Sequence, residues 1–143
     1  MVIAPQVRAR GYFMKPEFQT LCHWKTPRSK PLIESNPDDF IEAVTRTALS
    51  THNERLRIEV LMLLKGVSWP TASVLLHFGY LDLYPILDFR ALWSLGIDSE
   101  ITEYDFEFWW KYTQFCRGLA KEVGVTMRVL DRALWLYSKE KQK

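Results

Sequence analysis

The sequence predicts an all-α fold, a compact bundle of about six or seven helices with a glycine hairpin joining two of them at its centre. Three observations carry this. Apolar residues recur at helical spacing through most of the chain, with no strand-like alternation and no Asn-Gly hairpin dipeptide. The stretches between them carry helix signals, with Ser, Thr, Asn or Asp before the apolar runs and glycine after. Finally, the run Val60 to Leu64 stops at Lys65-Gly66, and a new apolar stretch starts within a few residues.

In chain order, residues 1–15 read as irregular, because Gly11 breaks any early helix. Pro16 to Trp24 reads as a short helix with Phe18, Leu21 and Cys22 on one face. Lys25 to Asn36 contains Pro27 and Pro31 and reads as a loop. Asn36 then caps a helix, with Pro37 in its first turn and Asp38 and Asp39 at its positive end. Thr51-His52-Asn53-Glu54 reads as a capping box that opens a helix to Leu64. Gly66 ends that helix, and Ser68 caps the next, which runs to Phe78. Residues 53–78 are thus a helix-hairpin-helix.

Gly79 to Pro85 reads as a loop, and Asp88 opens a helix that ends near Leu95-Gly96. A long helix spans Glu103 to Val123 and stops at Gly124. Thr126 caps the last helix, whose apolar stripe is Met127, Leu130, Leu134 and Tyr137. Residues 139–143 read as a frayed basic tail.

The whole chain of 143 residues fits one domain. It is 48 % hydrophobic and 25 % charged, an ordinary composition for a soluble protein. The net charge of +2 is too small to argue for nucleic acid by itself, so a local basic patch must supply any phosphate attraction. Aromatics reach 14 %, with six Trp, which implies a bulky core or a stacking surface. Cys22 and Cys116 stand far apart without metal-ligand spacing, so they read as buried free thiols of a reducing cytosol, not as metal ligands or a disulfide. The first ten residues lack a secretory apolar core, and no run has membrane-spanning length. A cytoplasmic protein without a membrane partner is the expectation.

The hairpin can bind an anion. A second helix that starts at Ser68 presents free amides from Ser68, Trp69 and Thr71 beside the positive end of its dipole. Pro70 offers no amide, which costs little in a first turn. Lys65 adds a mobile positive charge. The alternative is an ordinary helical hairpin packed for stability. Asp88, between Ile86-Leu87 and Phe89, likewise has two readings. As an ionised carboxylate in a dry pocket it could stabilise a developing cation or accept a proton from water. As an N-cap it serves the helix that follows.

Together these segments resemble the helix-hairpin-helix DNA glycosylase superfamily, base-excision enzymes of the endonuclease III and adenine glycosylase type. The family hairpin reads roughly Leu-Pro-Gly-Val-Gly, two variable residues, then Thr-Ala. Leu64-Lys65-Gly66-Val67-Ser68-Trp69-Pro70-Thr71-Ala72 aligns with it without a gap. Adenine glycosylases carry Pro-Ile-Leu-Asp around the catalytic aspartate, and Pro85-Ile86-Leu87-Asp88 stands at the matching spacing. The resemblance covers residues 56–96. It implies that Gly66, Val67 and Ser68 hold a phosphate of double-stranded DNA through backbone groups, with Lys65, Trp69 and Thr71 beside them and a monovalent cation bridging at the hairpin. It also implies that Asp88 is the catalytic carboxylate, which stabilises the cationic sugar and helps activate the nucleophile.

The chain departs from the family in four ways. Ser68 replaces the second hairpin glycine, and the lysine of bifunctional members falls at Pro70, which excludes a Schiff-base lyase step there. The four-cysteine cluster ligands are absent, so no iron–sulfur cluster is expected. The helices before residue 53 are too few for a full first lobe.

Other residues have two readings each. Trp24-Lys25-Thr26-Pro27-Arg28, with Lys30 nearby, could stack a base and neutralise phosphates, or be a surface loop anchored by Trp24. Arg55 and Arg57 could flank DNA, or pair with Glu54 and Glu59. His77 reads as a core histidine, and Arg90 could face the same cleft as Asp88 or steady its charge. Phe106, Phe108, Trp109, Trp110 and Phe115 crowd one helix, as core on two sides or as a homo-oligomer contact. Three functions follow. The first is DNA binding with monofunctional N-glycosidic hydrolysis at Asp88, the second a non-catalytic DNA-binding relative, and the third a protein-interaction domain using the aromatic helix.

Overall fold

The computed structural model describes residues 3–97 and 103–142. Among the described residues there is no strand, and the fold is all-α as the sequence predicts. The described residues form nine α-helices and two short 3-10 segments, more than the about six or seven helices expected. The chain divides into two compact units, residues 1–81 and 82–143.

The first unit contains α1 (Ile3–Arg10), α2 (Lys15–Lys25), a 3-10 turn (Pro27–Ser29), α3 (Lys30–Glu34), α4 (Asp38–Ser50), α5 (Glu54–Glu59) and α6 (Trp69–Gly79). Four expectations are corrected here. Within the stretch 1–15, of which residues 1 and 2 lie outside the described residues, 3–10 are not irregular, because α1 buries Ala4 and Val7, and Gly11 terminates it at φ 92° instead of breaking it. Lys25 to Asn36 is not a loop, because Pro27 and Pro31 fall in first helical turns, where a missing amide costs little. Pro37, not Asn36, is the N-cap residue of α4. The segment to Leu64 is not one helix, because α5 ends at Glu59 and tightens into a 3-10 stretch, Val60–Leu63. Its cap is Asn53, whose Oδ1 accepts from the Leu56 amide at 2.8 Å, while Thr51 Oγ1 accepts from the Asn53 amide at 3.1 Å.

The core of this unit is drawn from every helix. Val7, Phe13, Phe18, Leu21, Ile33, Ile41, Ile58, Leu61, Leu64, Leu75 and Leu76 are closed to solvent. Helix α6 packs against α1, α2 and α5, and every residue from Thr71 to Gly79 is buried. That placement explains why its sequence is apolar on all sides.

The second unit contains the loop 82–88, α7 (Phe89–Ser94), α8 (Phe106–Val123) and α9 (Met127–Lys141). Helix α9 packs on both α7 and α8. Trp109 on α8 is fully buried with the Tyr84 ring stacked on it at 5.8 Å. The Tyr112 hydroxyl donates to the Ile86 carbonyl at 3.1 Å. Gly124 closes α8 at φ 72°, and Thr126 Oγ1 accepts from the Val129 amide to cap α9, both as the sequence predicts. Two boundaries differ. Helix α8 starts at Phe106, where Asp105 caps it, and not at Glu103. Residues 139–141 continue α9 as helix and are not a frayed tail. Among the described residues no helix is long and apolar enough to cross a membrane.

Candidate functional site: the Lys65–Thr71 turn

The turn closes over four residues. The Val67 amide donates to the Leu64 carbonyl at 3.2 Å, with Gly66 in the third position at φ 83°. A Cβ at Gly66 would stand 2.9 Å from Ile33 Cδ1 and 3.2 Å from Leu32 Cβ. Glycine is therefore required twice, by the left-handed backbone and by the approach of α3.

The end of α3 also fixes the turn through hydrogen bonds. Asn36 Oδ1 accepts from the Lys65 amide at 2.8 Å, and Asn36 Nδ2 donates to the Lys65 carbonyl at 3.0 Å. The same Nδ2 donates to the Ile33 carbonyl at 2.9 Å. Lys15 Nζ in turn donates to the carbonyls of Glu34 and Asn36, at 2.9 and 2.7 Å. The conformation of the turn is thus set from α2 and α3.

Beyond the turn, Ser68 is the N-cap residue of α6 in extended geometry, and its hydroxyl makes no capping bond. The Ala72 amide donates to the Ser68 carbonyl at 2.8 Å. Among the described residues, none accepts from the amides of Gly66, Ser68, Trp69 or Thr71. Lys65 and Ser68 are exposed, Gly66 and Trp69 half-buried, and Val67 and Thr71 buried. The six residues are thus brought together in one short segment. Val67 uses its amide within the turn and Thr71 is closed to solvent, so the available donors are the amides of Gly66, Ser68 and Trp69. These donors and the dipole of α6 make a positive backbone surface beside the Lys65 ammonium.

Asp88 lies in the second unit. It is the N-cap residue of α7, half-buried, with Oδ1 accepting from the Arg90 amide at 2.9 Å. The capping reading is therefore realised. Burial first, and then the Asp88 charge, hold the Tyr104 phenol above its ordinary value. Tyr112 is raised further, by burial first and then by Cys116, Asp131 and Asp88 among its neighbours. Arg90 lies over aromatic rings, with Cζ 5.4 Å from the Phe89 centroid and 5.6 Å from that of Trp135.

Arg57 is buried instead of flanking a surface. Its Nε donates to Tyr80 Oη at 2.8 Å and to the Ala48 carbonyl at 3.3 Å, and its terminal nitrogens bind Glu54 and the Thr51 carbonyl. Arg55 pairs with Glu59 at 2.6 Å on the surface. Trp24 is exposed and meets Phe78 edge-on at 6.2 Å, with Arg28 and Lys30 exposed nearby in sequence. His77 is buried, with its ring edge-on to Phe78. Burial pushes the thiol of Cys22 up to about 12. Burial does the same for Cys116, where a Tyr112 hydrogen bond only partly offsets it and the thiol stands at about 12. Among the described residues no group of His, Cys, Asp or Glu has the makings of a metal site.

The sequence reads Asn36 as a cap and misses its grip on Lys65, 29 residues away. It offers the pairing of Arg57 with Glu54 and of Arg55 with Glu59 that the structure has, but not the Ala48 and Thr51 carbonyls that Arg57 also binds, which carry no local signal. No protein-family model, curated protein or solved structure matches the chain.

Proposed function

We propose that this chain binds the phosphate backbone of double-stranded DNA through the Lys65–Thr71 turn. The observation that carries the reading is the run of backbone amides at Gly66, Ser68 and Trp69 without an internal acceptor, beside the exposed Lys65. Backbone donors at a helix N-terminus suit a phosphate and carry no base information. The resemblance to helix-hairpin-helix glycosylases points the same way. The test is duplex binding across a salt series. Affinity should fall with salt, and Lys65→Ala should lower the slope of log K against log salt by about one. No duplex binding even at low salt would end the reading.

A second reading adds monofunctional N-glycosidic hydrolysis at Asp88. It is favoured by a half-open carboxylate whose orientation is fixed by the Arg90 amide. An aspartate carboxylate can stabilise a cationic sugar and accept a proton from water. Asp88→Asn keeps a good capping side chain, so the fold should survive while base release stops. Wild-type protein that releases no base from a panel of damaged and mismatched duplexes leaves the non-catalytic DNA-binding reading in its place.

A further inference from the structure

On the second unit, cations and aromatic rings alternate in one continuous row. Lys139 Nζ lies 5.1 Å from the Trp135 ring centroid, and Arg90 Cζ lies 5.6 Å from that centroid and 5.4 Å from that of Phe89. The packing of α7 on α9 brings the four together in the order Phe89, Arg90, Trp135, Lys139. Phe89 is 62 % exposed and Trp135 39 % exposed. Lys139 is exposed and Arg90 half-buried. Among the described residues neither cation has a carboxylate partner. Arg132 and Lys141 are also exposed on α9. Of the acids on that helix, Asp131 is paired with Arg128 at 3.4 Å and Glu140 is exposed.

We infer that this row is a stacking platform for single-stranded DNA. A single strand offers a planar base and an anionic phosphate at each repeat, the complement of rings interleaved with cations. An apolar helix docked here would have to desolvate Arg90 and Lys139 without partners. An acidic peptide would match the cations and leave the rings without planar partners. The choice of DNA as the polymer rests on the reading above, but no residue of the platform belongs to the hairpin.

The experiment is fluorescence anisotropy of the full chain with labelled oligo(dT), an abasic deoxyribose-phosphate strand of the same length, and polyglutamate as competitor. Oligo(dT) should bind about tenfold or more tightly than the abasic strand, the contribution of base stacking. Trp135→Ala should remove that advantage, and Lys139→Gln should weaken both strands alike. If Trp135→Ala loses its helical circular dichroism, Phe89→Ala, at an exposed ring, gives the same readout. Equal binding of the two strands, absence of oligo(dT) binding at low salt, or displacement by polyglutamate at equal concentration overturns the inference. So does tighter binding of oligo(rU) than of oligo(dT). Duplex affinity measured in parallel separates the two readings. Lost duplex binding with oligo(dT) binding intact ends the hairpin proposal and leaves this one standing.

Discussion

The carboxamide of Asn36 grips the backbone of Lys65, taking its amide at 2.8 Å and giving to its carbonyl at 3.0 Å. Asn36 is 1 % exposed, so water cannot take over those bonds. Asn36→Ala should destabilise the protein by about 2–3 kcal/mol, the cost of an orphaned buried amide plus a small cavity. Asn36→Asp should be worse, because an oxygen would replace the donor that faces the Ile33 and Lys65 carbonyls. Denaturant midpoints at an unchanged m value check this. Duplex affinity should fall in both variants, since the turn that presents the amides loosens.

The turn glycine and the glycine that ends α8 allow a controlled comparison. Gly66 has φ 83° and Gly124 has φ 72°, so an L-residue is strained at either place. A Cβ at Gly124 meets nothing within 4 Å, whereas at Gly66 it meets Ile33 Cδ1 at 2.9 Å. Gly124→Ala should therefore cost about 1 kcal/mol from backbone strain alone. Gly66→Ala should cost about 2–4 kcal/mol, because overpacking against α3 adds to the strain. Ile33→Val deletes the clashing atom, so the double variant should lose less than the sum of the singles by about 0.5 kcal/mol or more. Strict additivity would show that the clash is relieved by some other movement.

What could be read from the sequence was local. Gly66, Gly124, Thr126 and Asp88 all act within a few residues of themselves, and the structure has each in the conformation or cap predicted. Helix α1 could not be read, because it has few apolar positions and depends on burying Val7. Asn36 was read as a cap because Asn before Pro-Asp-Asp is a strong local signal. Its actual partner lies 29 residues away. In the candidate site, the turn was legible for the same local reason. What presses on the turn, Ile33 and Asn36, comes from a segment that two prolines made look like a loop.

Arg57 pairs with Glu54 as its spacing suggests, and its further partners give their own prediction. It sits 10 % exposed at the end of α4, where it satisfies the Ala48 and Thr51 carbonyls while its guanidinium lies over the Tyr80 ring at 5.0 Å. Those carbonyls have no partner inside the helix. Arg57→Ala should cost about 2–3 kcal/mol, since it removes the charge beside Glu54 and the donor to the Thr51 carbonyl, while the Ala48 carbonyl keeps the Tyr80 hydroxyl. Arg55→Ala, which removes only a surface pair with Glu59, should cost less than about 0.5 kcal/mol. Equal losses in thermal or denaturant melts would contradict the burial of Arg57.

The two thiols predict the alkaline limb of stability. Cys22 and Cys116 are fully buried, and burial holds both near a pKa of about 12. In the unfolded chain a thiol titrates near about 8.5. The folded state therefore keeps protons that the unfolded state gives up above that pH. A group raised in this way contributes its full stability below the unfolded pKa and loses it as pH climbs toward the folded one. Above pH about 8.5 each thiol should lower the unfolding free energy by up to about 1.4 kcal/mol per pH unit. Denaturant midpoints at pH 7.5 and at pH 9.5 read this window, before phenols of the unfolded chain titrate appreciably. The double variant Cys22→Ala, Cys116→Ala should start less stable but show a visibly flatter decline across it. Iodoacetamide should label neither thiol of the wild type at pH 8 until denaturant opens the chain, because only a thiolate attacks and neither forms in the folded state. Rapid native labelling, or an unchanged slope in the double variant, would place the thiols in contact with water.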